Sequence, residues 1–412
     1  MIMYFREKEK NMKGVYVAVI AGGQGTRLFP LSHDGRPKQF CMLNQEDTFI
    51  QATVRRFLNL GIDPNKIIIV VTSDKQITLA KEQLLSFGVT SINIIKISSG
   101  HGYAGAMIKA TEYISTIDSE AVIINTPSDQ YIEEGEEFTK VVQCAVKESA
   151  KSGDPVIVGV NVSDIVTVMG CGHAIYDVCD KSKVKTVLNF IEKPNRDMSV
   201  DLLREGNFAC NTGINVWKAS SMRGIVNDYL AAEKSGMATD ELMDKFKRIG
   251  LAIGKFRWYD CGALKSLYEI SEKTPNHKNA SLGGSVHRTE CLESLFITIK
   301  GIDIYAAGVK GAAVVVNEIS GKIVIAIINL EDSQKVRDLA EDYKKNKKFL
   351  LKDFSVGARN NRISRTNLSD SIVVGFVGTC NYTVTAIKHF DRNDGKITVI
   401  VSNDAEISEE SL

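Results

Sequence analysis

The hydrophobic pattern of the chain begins with Val15 to Ala21, a continuous apolar run rich in β-branched residues, as expected of a strand covered on both faces of a parallel sheet. Asp47 can cap a following helix with Ile50, Val54, Phe57 and Leu58 on one face and Gly61 at its end. Residues 67–71, IIIVV, form the next buried run. Asp74 then opens a second amphipathic helix through Ile77, Ala80 and Leu84 to Gly88, and 92–97 predicts a third strand. Residues 104–117 predict another helix, and 121–125 a strand that runs into Thr126, Pro127, Ser128 and Asp129. A helix carrying Phe138, Val141, Val142 and Ala145 and a strand over 156–160 follow. Strand and helix in alternation are the rhythm of a doubly wound α/β sheet.

From about 165 the pattern shifts to shorter β segments near 172–178, 184–191, 210–217 and 251–258, with helices near 219–231 and 239–249. Residues 274–285, TPNHKNASLGGS, have the Gly, Asn, Ser and Pro content of a linker. Beyond it, Ala312 to Val316 and Lys322 to Ile328 read as strands separated by NEISG, and Ser333 to Lys345 as a charged helix. A hairpin is expected from YTVTAIKHF and KITVIVS around Asn393, Asp394 and Gly395. The implied organisation is a catalytic domain over 1–275, a linker with a small β/α region over 276–345, and a β-rich extension over 346–412.

Composition narrows the class without naming it. With 51 basic and 50 acidic residues the net charge is +1, which argues against a generally basic nucleic-acid surface. Eight cysteines stand without a C-x-x-C pair, so neither a zinc site nor a dense disulfide framework is expected, and they read as mostly buried, reduced thiols. No run approaches a membrane span, and the charged N-terminus has no apolar segment behind it. The simplest expectation is a cytoplasmic protein with neither nucleic acid nor membrane as a partner.

The chemistry begins after the first strand. Gly22, Gly23 and Gly25 let backbone N–H groups approach a phosphate closely; Thr26 adds a hydroxyl, Arg27 a planar multi-donor cation and Lys38 a mobile point charge. The Walker A spacing is absent, and Leu28 stands where a dinucleotide fingerprint needs its last glycine. Asp129 and Asp260 each follow an apolar strand and stand at its expected carboxyl end, so two sequence-distant carboxylates can converge over one crevice and hold Mg²⁺. An isolated strand-end Asp more often caps a turn. In FIEKP, Glu192 can accept hydrogen bonds from sugar hydroxyls and Lys193 can neutralise a phosphate, but strand alternation points them apart unless the chain bends at Pro194. Asn211, before Thr212 and Gly213, offers both donor and acceptor to a sugar, although such a string alone is usually a turn.

The string GGQGTRLFPLS followed by PKQF resembles the signature of sugar nucleotidyltransferases, most closely mannose-1-phosphate guanylyltransferases. The resemblance covers residues 15 to about 275 and implies an α/β, doubly wound mixed sheet of Rossmann-like nucleotidyltransferase type with a smaller β-rich C-terminal region. It implies transfer of a nucleotidyl group from a nucleoside triphosphate, GTP foremost, to a sugar 1-phosphate, mannose 1-phosphate foremost, with release of pyrophosphate. Arg27, Lys38 and Lys193 would be catalytic, and Gly22, Gly23, Gly25, Thr26, Arg27, Lys38 and Gly102 would bind the nucleotide. Glu192, Lys193 and Asn211 would take the sugar phosphate, and Asp129 and Asp260 the metal.

The sequence departs from this pattern in three places. SSGHGYAGAMIKA (98–110) replaces the usual Arg-Asn-Thr-Ala segment, leaving Gly102, Tyr103 and Ala104 to approach the base through their backbone. Gln130 replaces a His, and MGCGHAIY (169–176) lacks a Tyr between its glycines. Another nucleotide or sugar, or a catalytically silent nucleotide-sugar-binding regulator, are the alternatives. His33, His101 and His173 are not assigned as acid or base; for His173 a place lining the sugar site is one reading, and a packed or surface position the simpler one. The stretch from Ile304 to Lys345 resembles the family's tail, in which a strand pair and a helix mediate self-association, so a homo-oligomer through the C-terminal region is a further expectation.

Overall fold

The structure is a computed structural model and describes residues 12–23, 25–234 and 245–345, followed by five strands at 355–356, 362–363, 372–377, 383–388 and 397–402. The chain forms two compact units, Met1–Gly22 with Ile50–Asp260, and Gly23–Phe49 with Cys261–Leu412.

In the first unit β1 (Val15–Ile20), α1 (Phe49–Asn59), β2 (Ile67–Val71), α2 (Asp74–Leu84), β3 (Ile94–Lys96), α3 (Gly102–Ile117) and β4 (Val122–Pro127) alternate as the hydrophobic pattern predicts. Then come β5 (Tyr131–Ile132), α4 (Glu136–Ser152), β6 (Val156–Val160), α5 (Ile165–Gly170), β7 (Gly172–Tyr176), β8 (Val184–Glu192), α6 (Arg196–Glu205), β9 (Phe208–Lys218), α7 (Ala219–Lys234), β10 (Gly250–Gly254) and β11 (Trp258–Tyr259). Nine strands make one sheet in the order β3-β2-β1-β4-β9-β6-β10-β8-β7. It is mixed: β1 runs parallel to β2 and β4, and β6 to β10, whereas β9 is antiparallel to both β4 and β6. One face is covered by α3 and α7, where Met107, Ile114, Met222 and Tyr229 pack in one core with Tyr16, Ala18, Ile68, Val70 and Trp217 of the sheet. Trp217 Nε1 donates to Thr111 Oγ1 at 2.9 Å, so its one polar atom is satisfied inside that core.

The segment 251–258, expected as one strand, is divided between β10 and β11. A Cβ on Gly254 would meet the Phe256 ring at 2.2 Å, and Phe256 turns in to pack edge-on against Phe138 with centroids 5.5 Å apart. The helix expected near 239–249 lies mostly outside the described residues.

The second unit contains α8 (Leu264–Ile270), β12 (Ala280–Gly283), β13 (Val286–Thr289), β14 (Leu295–Thr298), β15 (Ile302–Ala307), β16 (Ala312–Ile319), β17 (Lys322–Asn329) and α9 (Val336–Lys345). A six-stranded and a five-stranded sheet enclose a core of Phe296, Ile304, Val314, Ile325, Val399 and Val401. The expected linker 274–285 is corrected here: Ala280–Gly283 is a strand, because β14 supplies parallel hydrogen-bond partners that composition alone does not reveal. β16 and β17 form a hairpin closed by Ser320 (φ 54°) and Gly321 (φ 76°), both left-handed, as a two-residue turn of this hand requires. The C-terminal strands Thr383–Lys388 and Ile397–Ser402 pair antiparallel as expected, and the turn around Asp394 lies outside the described residues.

Residues 23–49 join this unit through specific contacts. Asn317 Nδ2 donates to Pro30 O at 2.8 Å, Phe29 packs on Tyr343 at 5.2 Å between centroids, Lys344 pairs with Asp34 at 2.7 Å, and Gln45 donates to Ser281 O at 2.9 Å. Among the described residues no helix is long and apolar enough to cross a membrane.

Candidate active site

β1 and β4 are parallel neighbours with Ile20 opposite Pro127, so the glycine loop and the Ser128–Asp129 turn leave the same carboxyl edge. Ser128 Oγ ties the two exits by donating to Ile20 O at 2.8 Å. Gly22 O accepts from Thr72 Oγ1 at 3.3 Å and from Gln76 Nε2 at 3.4 Å, and a Cβ at Gly22 would meet Thr72 Cγ2 at 2.8 Å. The start of the loop is thereby held against β2.

β5 and β11 pair antiparallel with Ile132 opposite Trp258 and Tyr131 opposite Tyr259. Continuing that register by one position sets Gln130 opposite Asp260, with Asp129 the next residue along. A ribbon of two residues per strand thus carries both aspartates, distant in sequence, to one end. Asp129 is half-buried and Asp260 exposed. Two carboxylates, one of them exposed, are an oxygen donor set of the kind Mg²⁺ takes. Gln130, buried, accepts from Trp258 Nε1 at 3.0 Å, so the residue that departs from the family pattern locks the ribbon. Tyr103, next to Gly102 in the first turn of α3, donates to Gly213 O at 2.7 Å; burial foremost, and then the Asp129 carboxylate, push its phenol well above the ordinary range.

Asn211 stands on β9 opposite Gly159 of β6. Its Oδ1 accepts from Gly213 N at 2.9 Å, and Gly213, at φ 76°, is where a Cβ would meet Pro127 Cγ at 2.7 Å. N-T-G therefore lies within β9, at a register shift against β6, rather than at a turn, and Asn211 Nδ2 keeps its donor hydrogens.

Glu192 ends β8 opposite Gly172, whose missing side chain leaves the space that the Glu192 carboxylate occupies. The next residue, Lys193, takes a left-handed φ of 43° and its N–H donates to Cys171 O at 3.2 Å. This is the bend that strand alternation requires: it brings Lys193 Nζ to 3.3 Å from Glu192 Oε1, both largely exposed.

In the second unit, Gly23 and Gly25 lie next to the turn Lys38–Phe40. Gln39 Nε2 donates to Gly23 O at 3.0 Å, and Ser32 Oγ donates to Gly25 O. Thr26 and Arg27 begin a short 3-10 turn, with Arg27 half-buried. Lys38 differs from the mobile point charge expected: it is 4% exposed, with Nζ 5.4 Å from the Phe49 ring centroid, because the turn after Pro37 packs its stem inward. Gln39, which follows Lys38 in the PKQF string, anchors the loop through an amide contact that the sequence pattern does not single out.

Two further differences concern the cysteines and histidines. Cys171 and Cys210 are joined in a disulfide, against the expectation of reduced thiols; β7 and β9 bring them together across 39 residues, a cross-strand relation that spacing does not display. Cys41, Cys144, Cys179, Cys261 and Cys291 are not disulfide-bonded. His101 bonds Tyr229 Oη at 3.2 Å and faces Glu233 at 3.2 Å, and His173 is fully buried, so both are packed.

The sequence matches the nucleotidyl transferase family over residues 16–277. Among curated proteins it is 26% identical over 286 residues to the alginate biosynthesis protein AlgA of Pseudomonas putida, covering 63% of this chain and 58% of that protein. It is 26% identical over 362 residues to a mannose-1-phosphate guanylyltransferase of Salmonella montevideo, covering 79% of this chain and 73% of that one, and 26% identical over 353 residues to one of Sinorhizobium fredii, covering 79% and 67%. The chain thus spans just over half the length of the first of these relatives. The fold matches a crystal structure of mannose-1-phosphate geranyltransferase from Thermus thermophilus, with a TM-score of 0.68 and 21% identity over 80% of this chain and 99% of that one.

Proposed function

The chain belongs to the nucleotidyl transferase family, and from that premise we propose that it transfers a nucleotidyl group from GTP to mannose 1-phosphate, releasing pyrophosphate and forming a nucleotide sugar. The observation that carries the reading is the β5–β11 ribbon, whose register brings Asp129 and Asp260 to one end, with Gly213 of β9 against the neighbouring Pro127 and Gln130. The choice of guanine and mannose rests on the relatives named mannose-1-phosphate guanylyltransferase.

In this reading Gly22, Gly23, Gly25, Thr26, Arg27 and Lys38 take the triphosphate, and Gly102 approaches the base. Lys193 neutralises the acceptor phosphate while Glu192 and Asn211 hold sugar hydroxyls. Mg²⁺, held by Asp129 and Asp260, would supply positive charge to the transferring phosphoryl oxygens. A sugar phosphate is already a competent nucleophile once its repulsion with the triphosphate is screened, so positioning and charge neutralisation suffice, with no covalent enzyme intermediate. The test is pyrophosphate release over four nucleoside triphosphates and a panel of sugar 1-phosphates, with and without Mg²⁺. Turnover only with Mg²⁺ and best with GTP and mannose 1-phosphate is expected. Another preferred pair would revise the substrates, and nucleotide-sugar binding without turnover for any pair would sink the enzyme reading.

A further inference from the structure

Three ligand-type side chains that the proposed reaction does not use meet on one face of the sheet. β7 and β9 run antiparallel with His173 opposite Cys210, and Cys171 stands two residues before His173. Residues two apart on a strand share a face with the cross-strand partner of either one, so the three side chains converge. One ring nitrogen of His173 and the two sulfurs lie within 4.8 Å of one another. His173 is 0% exposed; its Nε2 donates to Val168 O at 2.6 Å, which leaves the lone pair on Nδ1, and Nδ1 has no hydrogen-bond partner. A buried nitrogen without a partner calls for an explanation. An imidazole steered by a backbone carbonyl through its far nitrogen is how metal-binding histidines are oriented.

We propose that Cys171, Cys210 and His173 form a site for a soft divalent cation of the Zn²⁺ class, open when the disulfide is reduced and closed when it forms. Tetrahedral Zn²⁺ holds thiolate sulfur at about 2.3 Å and imidazole nitrogen at about 2.0 Å, so its ligand atoms stand roughly 3.5–3.8 Å apart. The three atoms lie within 4.8 Å of one another, and reduction frees the bonded sulfurs to separate to that spacing and accept the ion. A phosphine reductant and one water convert the disulfide to two thiols and the phosphine oxide. Cation binding then displaces the two thiol protons to solvent, and neutral His173 adds its Nδ1 lone pair without proton transfer. A water fills the fourth position from the side of Cys171, the least buried of the three. Thiolate and imidazole select this class of ion over Mg²⁺, which keeps the site chemically separate from Asp129 and Asp260. The backbone carbonyl of Cys171 accepts from Lys193 N, so the site adjoins the bend at Lys193.

The full chain, reduced with a water-soluble phosphine under argon, stripped with chelator and desalted, is titrated with Co²⁺ and then Zn²⁺. One equivalent of Co²⁺ is expected to give a thiolate-to-cobalt charge-transfer band that one equivalent of Zn²⁺ removes. The oxidised protein and the Cys171→Ser variant are expected to show no band, the variant keeping its circular dichroism spectrum. Because a buried-cluster variant can fail to fold, alkylation of the reduced wild-type chain is followed by peptide mass spectrometry. Zn²⁺ is expected to slow modification of Cys171 and Cys210 at least about tenfold, and not that of Cys179. Absence of the band in the reduced protein, its persistence in folded Cys171→Ser, or unchanged alkylation of the two cysteines would overturn the proposal.

Discussion

Gly25 and Gly23 stand two residues apart in the same loop, yet the structure makes opposite demands on them. Gly25 has a φ of 61°, and a Cβ there would lie 2.2 Å from Lys38 Cβ. The left-handed conformation costs about 1–2 kcal/mol for a residue with a Cβ. The clash adds about 1–3 kcal/mol if the loop stays in place, and Lys38, 4% exposed, has little room to yield. Carbon atoms need about 3.5 Å between them, so the loop relieves the overlap by shifting on the order of 1 Å. A displacement of that size in a positioning element costs about 10²-fold in rate. Gly23, by contrast, has nothing within 4 Å of its virtual Cβ and no left-handed φ. Gly25→Ala is therefore expected to lower kcat/KM about 10²-fold and to reduce unfolding free energy by less than the full strain, since the loop moves. Gly23→Ala should stay within about threefold of wild type, a change of under 1 kcal/mol in barrier. The assay is continuous pyrophosphate release with urea unfolding in parallel. Equal effects of the two substitutions on turnover would refute the reasoning, because composition alone treats the two glycines alike.

Two other outcomes follow from the site geometry. Gly172→Ala places a Cβ 2.4 Å from Glu192 Oε2 and 2.7 Å from Phe190 Cζ; displacing the carboxylate is expected to raise KM for the sugar 1-phosphate about tenfold, about 1.4 kcal/mol, with KM for the nucleotide unchanged, and equal changes in both would remove Glu192 from the sugar role. Tyr103, with its phenol raised by burial and by Asp129, keeps its proton above pH 10 while the unfolded chain loses it there; stability is thus full below about pH 10 and falls as pH rises through that value, and urea melts should show a shallower alkaline decline in Tyr103→Phe than in wild type, an identical decline counting against the shift.

What the sequence discloses and what it hides divide along physical lines. β1, β2 and β4 are legible because buried strands of a parallel sheet need unbroken apolar runs, and VYVAVI, IIIVV and the run before Thr126 supply them. The ribbon β5–β11 is not legible. Two residues per strand carry no period, and their pairing joins positions more than 120 residues apart, so the convergence of Asp129 and Asp260 rests in the sequence on strand ends alone. Pro194 signals a bend, but the left-handed residue that makes it is Lys193. The segment 274–285 has linker composition and still contains β12, because a strand exists wherever a partner such as β14 offers hydrogen bonds. Nothing local marks residues 23–49 as companions of Cys261–Leu412; that relation rests on contacts such as Asn317 to Pro30. Cys171, His173 and Cys210 are likewise joined by cross-strand register, of which the sequence shows only the C-x-H half.

The proposed reaction assigns metal binding to Asp260 and phosphate binding to Arg27, and the most direct measurement is Mg²⁺-dependent pyrophosphate release from wild type beside Asp260→Asn and Arg27→Ala, each checked for an unchanged unfolding midpoint. Removing one charged partner of the transferring phosphate is expected to lower kcat by about 10²-fold or more, with the largest loss at limiting Mg²⁺ for Asp260→Asn. A near-normal rate in either folded variant would contradict the assignment of the site.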